Sequence, residues 1–240
     1  MTAYKFFLTV ISLLAYISLC RGQRCFPKGK TSQIACFEAW ANINTTDDNT
    51  ILAGETKVYS SSKSCLVEVI SKNTGPTQRS DMYDAMVEVE NKCSPAMVGT
   101  LSYPHFDISL TQVLPNTPIF GRNIKLDQPS CNIKSPFSSG KISPPDCSKA
   151  IDTIQINSKS PQKILSQSKG EIRASFKTCF VFIKSSNQLD ITMNHDQLKK
   201  MSSLITGKCK EQTGSVVKQF GSFGLNSRTE MQIYFHGKPV

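Results

Sequence analysis

The chain has 240 residues, 39% hydrophobic and 19% charged, with nine cysteines and a formal charge of +10. That apolar share excludes a disordered polyelectrolyte. The cysteine count argues against a reducing compartment, and the charge favours anionic partners or surfaces without naming one.

Residues 1–22 predict a cleaved secretory signal peptide. Lys5 supplies a positive start, an uncharged apolar run spans Phe6 to Leu19, and Cys20-Arg21-Gly22 puts small residues at −3 and −1 of a cut. That run is short for a bilayer span, and no later stretch is long and apolar enough to be one. Cleavage leaves a formal charge of +8 and eight cysteines, read as four disulfides. His105, His195 and His236 lie at no zinc-ligand spacing from a cysteine or from each other, so no metal or other cofactor is expected.

The eight cysteines divide into Cys25, Cys36, Cys65, Cys93 and Cys131, Cys147, Cys179, Cys209, with steps of 11, 29, 28 and 16, 32, 30. Around the second of each set, Cys36, Ala39, Trp40, Ile43 and Cys147, Ala150, Ile151, Ile154 share one helical stripe. Pro144 and Pro145 precede the second of these helices, with Asp146 expected as its N-cap. Around the third cysteine, Lys63–Val69 and Lys177–Ile183 predict strands; Glu68 puts one face of the first in water, where Phe182 makes the second apolar. Met82, Met86, Val89, Cys93 and Leu198, Met201, Ile205, Cys209 predict a second helix per copy, with Asp81 and Asp196 near its start. Gly99 and Gly214 break the chain after it. Alternation at Phe106, Ile108, Leu110 and at Met231, Ile233, Phe235 predicts closing strands. Ser215–Gln219 and the turn Gly221–Gly224 read as a hairpin extra to the second copy.

A tandem duplication follows: unit one at 23–111, a proline-containing, semi-rigid linker at 112–130, and unit two at 131–240. The expected class is α+β: two small disulfide-stapled sandwiches, each an antiparallel sheet with two helices on one face. Four cysteines allow three pairings per unit. The preferred one joins Cys36–Cys65 and Cys25–Cys93, with Cys147–Cys179 and Cys131–Cys209 as equivalents, tying the first helix to the strand and the N-terminal segment to the second helix.

No catalytic signature appears. No histidine or paired carboxylate stands in a recognisable motif, the histidines read as surface residues, and Gly221-Ser222-Phe223-Gly224 lacks the lysine and the strand–helix setting of a phosphate loop. The expectation is a protein that is not an enzyme, with a secreted enzyme of unrecognised type as an alternative. Trp40, the only tryptophan, reads as core, and Asn44-Thr45-Thr46 is a glycosylation sequon on an exposed loop. Residues 23–126 carry 10 basic and 10 acidic residues; residues 127–240 carry 16 and 8. Unit two therefore presents the charged surface. Lys199, Lys200, Lys208 and Lys210 are the first candidates to meet a host protein or anionic surface, and scattered charge with few interleaved aromatics argues against nucleic acid.

The run Asp146-Cys147-x-x-Ala150-x-x-x-Ile154, then Thr178-Cys179-Phe180-Val181, Cys209 and Gly214-Ser215-Val216, resembles the killer-toxin-like family of secreted fungal effectors, relatives of a smut killer toxin alpha subunit. The resemblance covers most of the chain after the signal and implies a compact α/β sandwich acting against a host plant or a competing fungus. It points to a monomeric secreted effector that binds a host target, is open to recognition by a plant immune receptor, and acts outside host cells or after translocation into them. An antimicrobial or membrane-active toxin is the alternative. Two departures are the fusion of two copies and the absence of a Lys-Arg pair in the linker.

Overall fold

The computed structural model describes residues 22–237 except 27, 52–53, 73–74, 116, 118, 122–124, 138 and 157–169. The predicted signal peptide, apart from Gly22, lies outside the described residues.

Unit one runs β1 (Arg24–Cys25), α1 (Gln33–Ala41), β2 (Thr50–Ile51), β3 (Lys57–Ser62), β4 (Cys65–Ser71), β5 (Thr77–Gln78), α2 (Arg79–Lys92), β6 (Gly99–Ser102) and β7 (Phe106–Gln112). Unit two runs β8 (Ser130–Cys131), α3 (Pro144–Asp152), β9 (Glu171–Phe176), β10 (Cys179–Ser185), α4 (His195–Cys209), β11 (Gly214–Gln219) and β12 (Arg228–Phe235). The sheets are ordered β1-β6-β7-β4-β3 and β8-β11-β12-β10-β9, antiparallel throughout, so the class is α+β and the two topologies coincide. A separate β2–β5 pair occurs in unit one.

Each core lies between its sheet and its two helices. In unit one Ala35, Cys36, Ala39, Met82, Ala85, Met86 and Val89 meet the inward residues of β4 and β7. The register sets Val67 opposite Leu110 and Val69 opposite Ile108; in unit two it sets Val181 opposite Ile233 and Ile183 opposite Met231. Burying each such side chain is worth about 1.5–3 kcal/mol. The helices start on local chemistry. The Ser32 hydroxyl accepts from the Ala35 amide at the head of α1, and Asn194 with Gln197 forms a reciprocal capping box on α4.

Disulfides join Cys25 to Cys93, Cys36 to Cys65, Cys131 to Cys209 and Cys147 to Cys179, with Cα separations of 5.0–5.3 Å. One bond per unit ties the first helix to the central strand; the other ties the edge strand to the end of the second helix. The glycines after those helices follow from the second bond. A Cβ on Gly99 would lie 2.7 Å from Cys93 Sγ and 2.6 Å from the Arg24 carbonyl oxygen. On Gly214 it would lie 2.8 Å from Cys209 Sγ. They are therefore strand openers in contact with a cystine.

Three expectations need correction. Asp146 is not the cap of α3: the helix opens at Pro144, whose missing N–H and fixed φ suit a first turn, and Ser143 takes the cap position. Asp146, within that first turn, instead accepts from the Thr178 hydroxyl at 2.7 Å and its amide at 3.3 Å. The hairpin read as extra to unit two exists in both units, because β6–β7 is the shorter counterpart of β11–β12. The linker is no spacer: Gln112 ends β7, Ser130 opens β8, and between them a 3-10 turn, Ile119–Gly121, packs on β3 and β4. Phe120 is buried, and a Cβ on Gly121 would fall 2.7 Å from Leu66 Cδ2.

The two units meet along a seam. Asn226 of unit two exchanges hydrogen bonds with the Asn44 backbone, its Oδ1 accepting from Asn44 N at 2.7 Å and its Nδ2 donating to Asn44 O at 2.8 Å. The Asn226 amide donates to buried Glu55 Oε1 at 2.7 Å. Thr56 donates to the Asn187 carbonyl, and Arg228 donates to the Phe120 carbonyl. Gly224, at φ +108°, makes room: a Cβ there would lie 2.8 Å from Glu55 Oε1.

Candidate functional site

The four candidate lysines do not form one cluster. Lys199 and Lys200 flank a shallow groove on α4, completed by Asp196, Ser203, exposed Leu204 and Lys218 of β11. Lys208 stands nine residues along, about 13 Å at the α-helical rise, and donates to the Pro129 carbonyl at 2.8 Å. Lys210 follows the last turn with φ +55°. Lys199 pairs with Asp152 at 2.6 Å and Lys218 with Asp127 at 2.8 Å. Both bridges are open to water, where such pairs hold little energy and exchange readily. Lys200 is exposed. The groove can therefore hold an anionic group beside an apolar one, with Leu204 as the apolar floor. Sequence reading missed Lys218 and Leu204. Lys218 follows four buried residues in β11, Gly214 to Val217, and only the packing of β11 beside α4 brings it to the helix.

Two of the histidines read as surface residues are structural. His195 Nε2 lies 2.8 Å from the Ile154 carbonyl, which ends the turn after α3. Unit one meets the same need with Arg79, which donates to the Ala41 and Ile43 carbonyls and stacks 4.5 Å from the Trp40 ring. His236 lies 6.1 Å from the Phe137 and Phe180 rings on the outer face of the second sheet. His105 is exposed, beside β7. Among the described residues no group of three His, Cys, Asp or Glu side chains could hold a metal ion, and all eight described cysteines are paired.

Trp40 is half-buried: it packs on the core, yet its ring is 5.5 Å from exposed Phe37 and 5.0 Å from exposed Tyr83. Asn44 is exposed as the sequon requires, but its backbone belongs to the seam and its amide lies 3.5 Å from the Leu225 carbonyl. The outer face of the first sheet carries a mixed groove of about 550 Å³ whose lining includes Arg24, Glu68, Ser102 and Asp107 beside Ile70 and Leu101. Glu68 pairs there with Lys57 at 2.5 Å and Asp107 with Lys72 at 2.7 Å. Phe182, the unit-two counterpart of Glu68, lies under the Arg173 guanidinium at 5.3 Å.

The shifted carboxyls mark structure. Burial pushes Glu55 up despite its bonds from Asn226, and burial pushes Glu90 up despite a bond from Gln33. The bond from Lys63, with Ser62, holds Glu38 down, and the Thr178 hydroxyl holds Asp146 down. None of the four lies in the α4 groove. Burial also pulls Arg228 below its usual range.

No family model matches the chain, and no curated protein matches it. Solved structures that match along most of the chain include two tandem ectodomains. One is the tandem DUF26 ectodomain of the Arabidopsis thaliana cysteine-rich receptor-like protein PDLP5, at 13% identity over 88% of this chain and 98% of that one, TM-score 0.26. The other is the tandem DUF26 ectodomain of the Arabidopsis thaliana cysteine-rich receptor-like protein PDLP8, at 10% identity over 90% of this chain and 97% of that one, TM-score 0.28.

Proposed function

We propose that the chain is a secreted binding protein with no catalytic role, a fungal effector that engages a host target through the lysine face of unit two. The observation that carries this reading is divergence on a shared scaffold. Two units with the same sheet order and disulfide pattern differ in charge, balanced in residues 23–126 and +8 in residues 127–240. The excess presents exposed Lys200 beside the open groove at Leu204. Four disulfides support an oxidising, extracellular setting. The killer-toxin-like resemblance of the cysteine frame supports the effector role and recognition by a plant immune receptor. The test is expression in leaves of several host cultivars, with and without residues 1–22. Cell death in some cultivars and not others supports receptor recognition, and the active version gives the compartment. Death in every cultivar contradicts selective recognition and favours a toxin.

The toxin reading has one specific feature behind it. Phe220 and Phe223, in the loop between β11 and β12, are 55% and 47% exposed on the basic unit. Aromatic rings beside positive charge suit an anionic membrane surface. Dye release from anionic liposomes supports that reading, and intact liposomes at the concentrations active in leaves exclude it.

A further inference from the structure

The helix faces of the two units differ in charge at matching positions. Aligned on Cys36 with Cys147 and Cys93 with Cys209, Glu38 corresponds to Lys149, Tyr83 to Lys199 and Asp84 to Lys200. Unit one presents the Tyr83 ring where unit two presents Lys199, and exposed Phe37 and half-buried Trp40 where unit two has Ser148 and Ile151. Ile34 is 68% exposed, Phe37 48% and Tyr83 37%, around Trp40 and the stacked Arg79. Trp40 Nε1 is buried with no partner among the described residues. Exposed Asp81 and Asp84 border the patch, and Asp47 and Asp48 lie in the turn whose Asn49 carbonyl holds the Arg79 amide. An apolar, aromatic patch with a charged rim is the usual form of a protein-docking surface.

We infer that the face of α1 and α2 docks the face of α3 and α4 of a second copy, joining molecules head to tail. The complementarity is positional. Lysines 199 and 200 bring cations to rings and carboxylates, and Leu204 brings an apolar side chain to Phe37 and Ile34. The Lys199–Asp152 bridge in their way is solvent-exposed and gives up little when exchanged. Such a contact uses different patches on the two partners, so each molecule keeps one face open and the assembly can grow. The lysine face is also the one proposed for the host target, so the two contacts compete. The test below contains no target, and its outcome leaves the target reading to stand or fall separately.

Sedimentation velocity of the secreted chain across a wide concentration range tests the inference, with Trp40 fluorescence as a local probe, since it is the only tryptophan. The sedimentation coefficient rises with concentration, Trp40 emission shifts with it, and high salt suppresses both. Tyr83→Lys/Asp84→Lys writes the unit-two residues into unit one, and Lys199→Tyr/Lys200→Asp does the reverse. Each substitution places residues that the other unit's helix already carries, and circular dichroism checks that both variants fold. Each variant alone stays monomeric; mixed, they associate, because one carries a lysine pair at the matching positions of both units and the other a tyrosine–aspartate pair at both. A wild-type chain that stays monomeric with unchanged emission overturns the inference. So does a mixture that stays monomeric, or a variant that associates alone.

Discussion

Unit one and unit two share sheet order, helix placement and cystine pattern, but they solve local problems with different residues. Arg79 and His195 serve the same carbonyl position, one with a guanidinium stacked on Trp40, the other with an imidazole. Gly99 and Gly214 each leave room for a cystine sulfur. Lys63 and Lys177 each take positive φ, 47° and 45°, in the turn before the strand cysteine. Where a residue faces the core or a cystine, the two copies agree in kind; where it faces water, they diverge from aromatic and acidic to basic. Internal positions answer to packing and backbone geometry, which duplication copies, whereas outward positions answer to partners, and there is no reason for two copies to share one.

Removing the helix–strand cystine tests that equivalence with the largest effect. Cys36→Ala/Cys65→Ala and Cys147→Ala/Cys179→Ala release loops of similar length, with separations of 29 and 32. Each is expected to cost about 3–4 kcal/mol by urea denaturation. A loss confined to one unit breaks the comparison. Gly99→Ala and Gly214→Ala force a methyl to within 2.8 Å of a cystine sulfur. Each is expected to cost about 1–3 kcal/mol, and thermal melts rank the two. His195→Ala removes one hydrogen bond, for about 0.5–1.5 kcal/mol. Arg79→Ala removes two bonds and the stacking on Trp40 and is expected to cost more; equal losses contradict the stacking role.

The smallest effects concern pH. Burial raises Glu55 in the folded chain, so its contribution is present below the ordinary carboxylate value and is lost as pH rises through the folded one. Asp146, lowered by Thr178, contributes above its ordinary value and loses that as pH falls through the folded one. On acidification from neutral, the wild type therefore gains on Glu55→Gln and loses against Asp146→Asn. Melting curves over that range check both signs, and parallel profiles contradict the assignments.

The sequence made the four helices legible because their apolar residues step by three and four; β4 and β10 were legible from β-branched and aromatic residues, and β7 and β12 from apolar alternation. It hid β3 and β9. Ser60, Ser61 and Ser62 in one and Glu171 and Arg173 in the other weaken the apolar signal of strands that exist by pairing with β4 and β10. Asp146 looked like a cap because caps are local, while its real partner, Thr178, lies 32 residues away. The seam left no trace for the same reason: Glu55 and Asn226 are 171 residues apart. Of the candidate surface, the lysines on α4 were readable from composition and periodicity. Lys218 and Leu204 needed the neighbouring strand and the helix face in place.

The most direct test of the lysine face is charge reversal at Lys199, Lys200, Lys208 and Lys210, read in leaves of a responding cultivar at matched protein levels. The account predicts that the reversed chain folds, accumulates and loses the host response, with Lys199 and Lys200 accounting for most of the loss because they flank the Leu204 groove. A response undiminished by all four reversals would contradict it and place the contact elsewhere on the molecule.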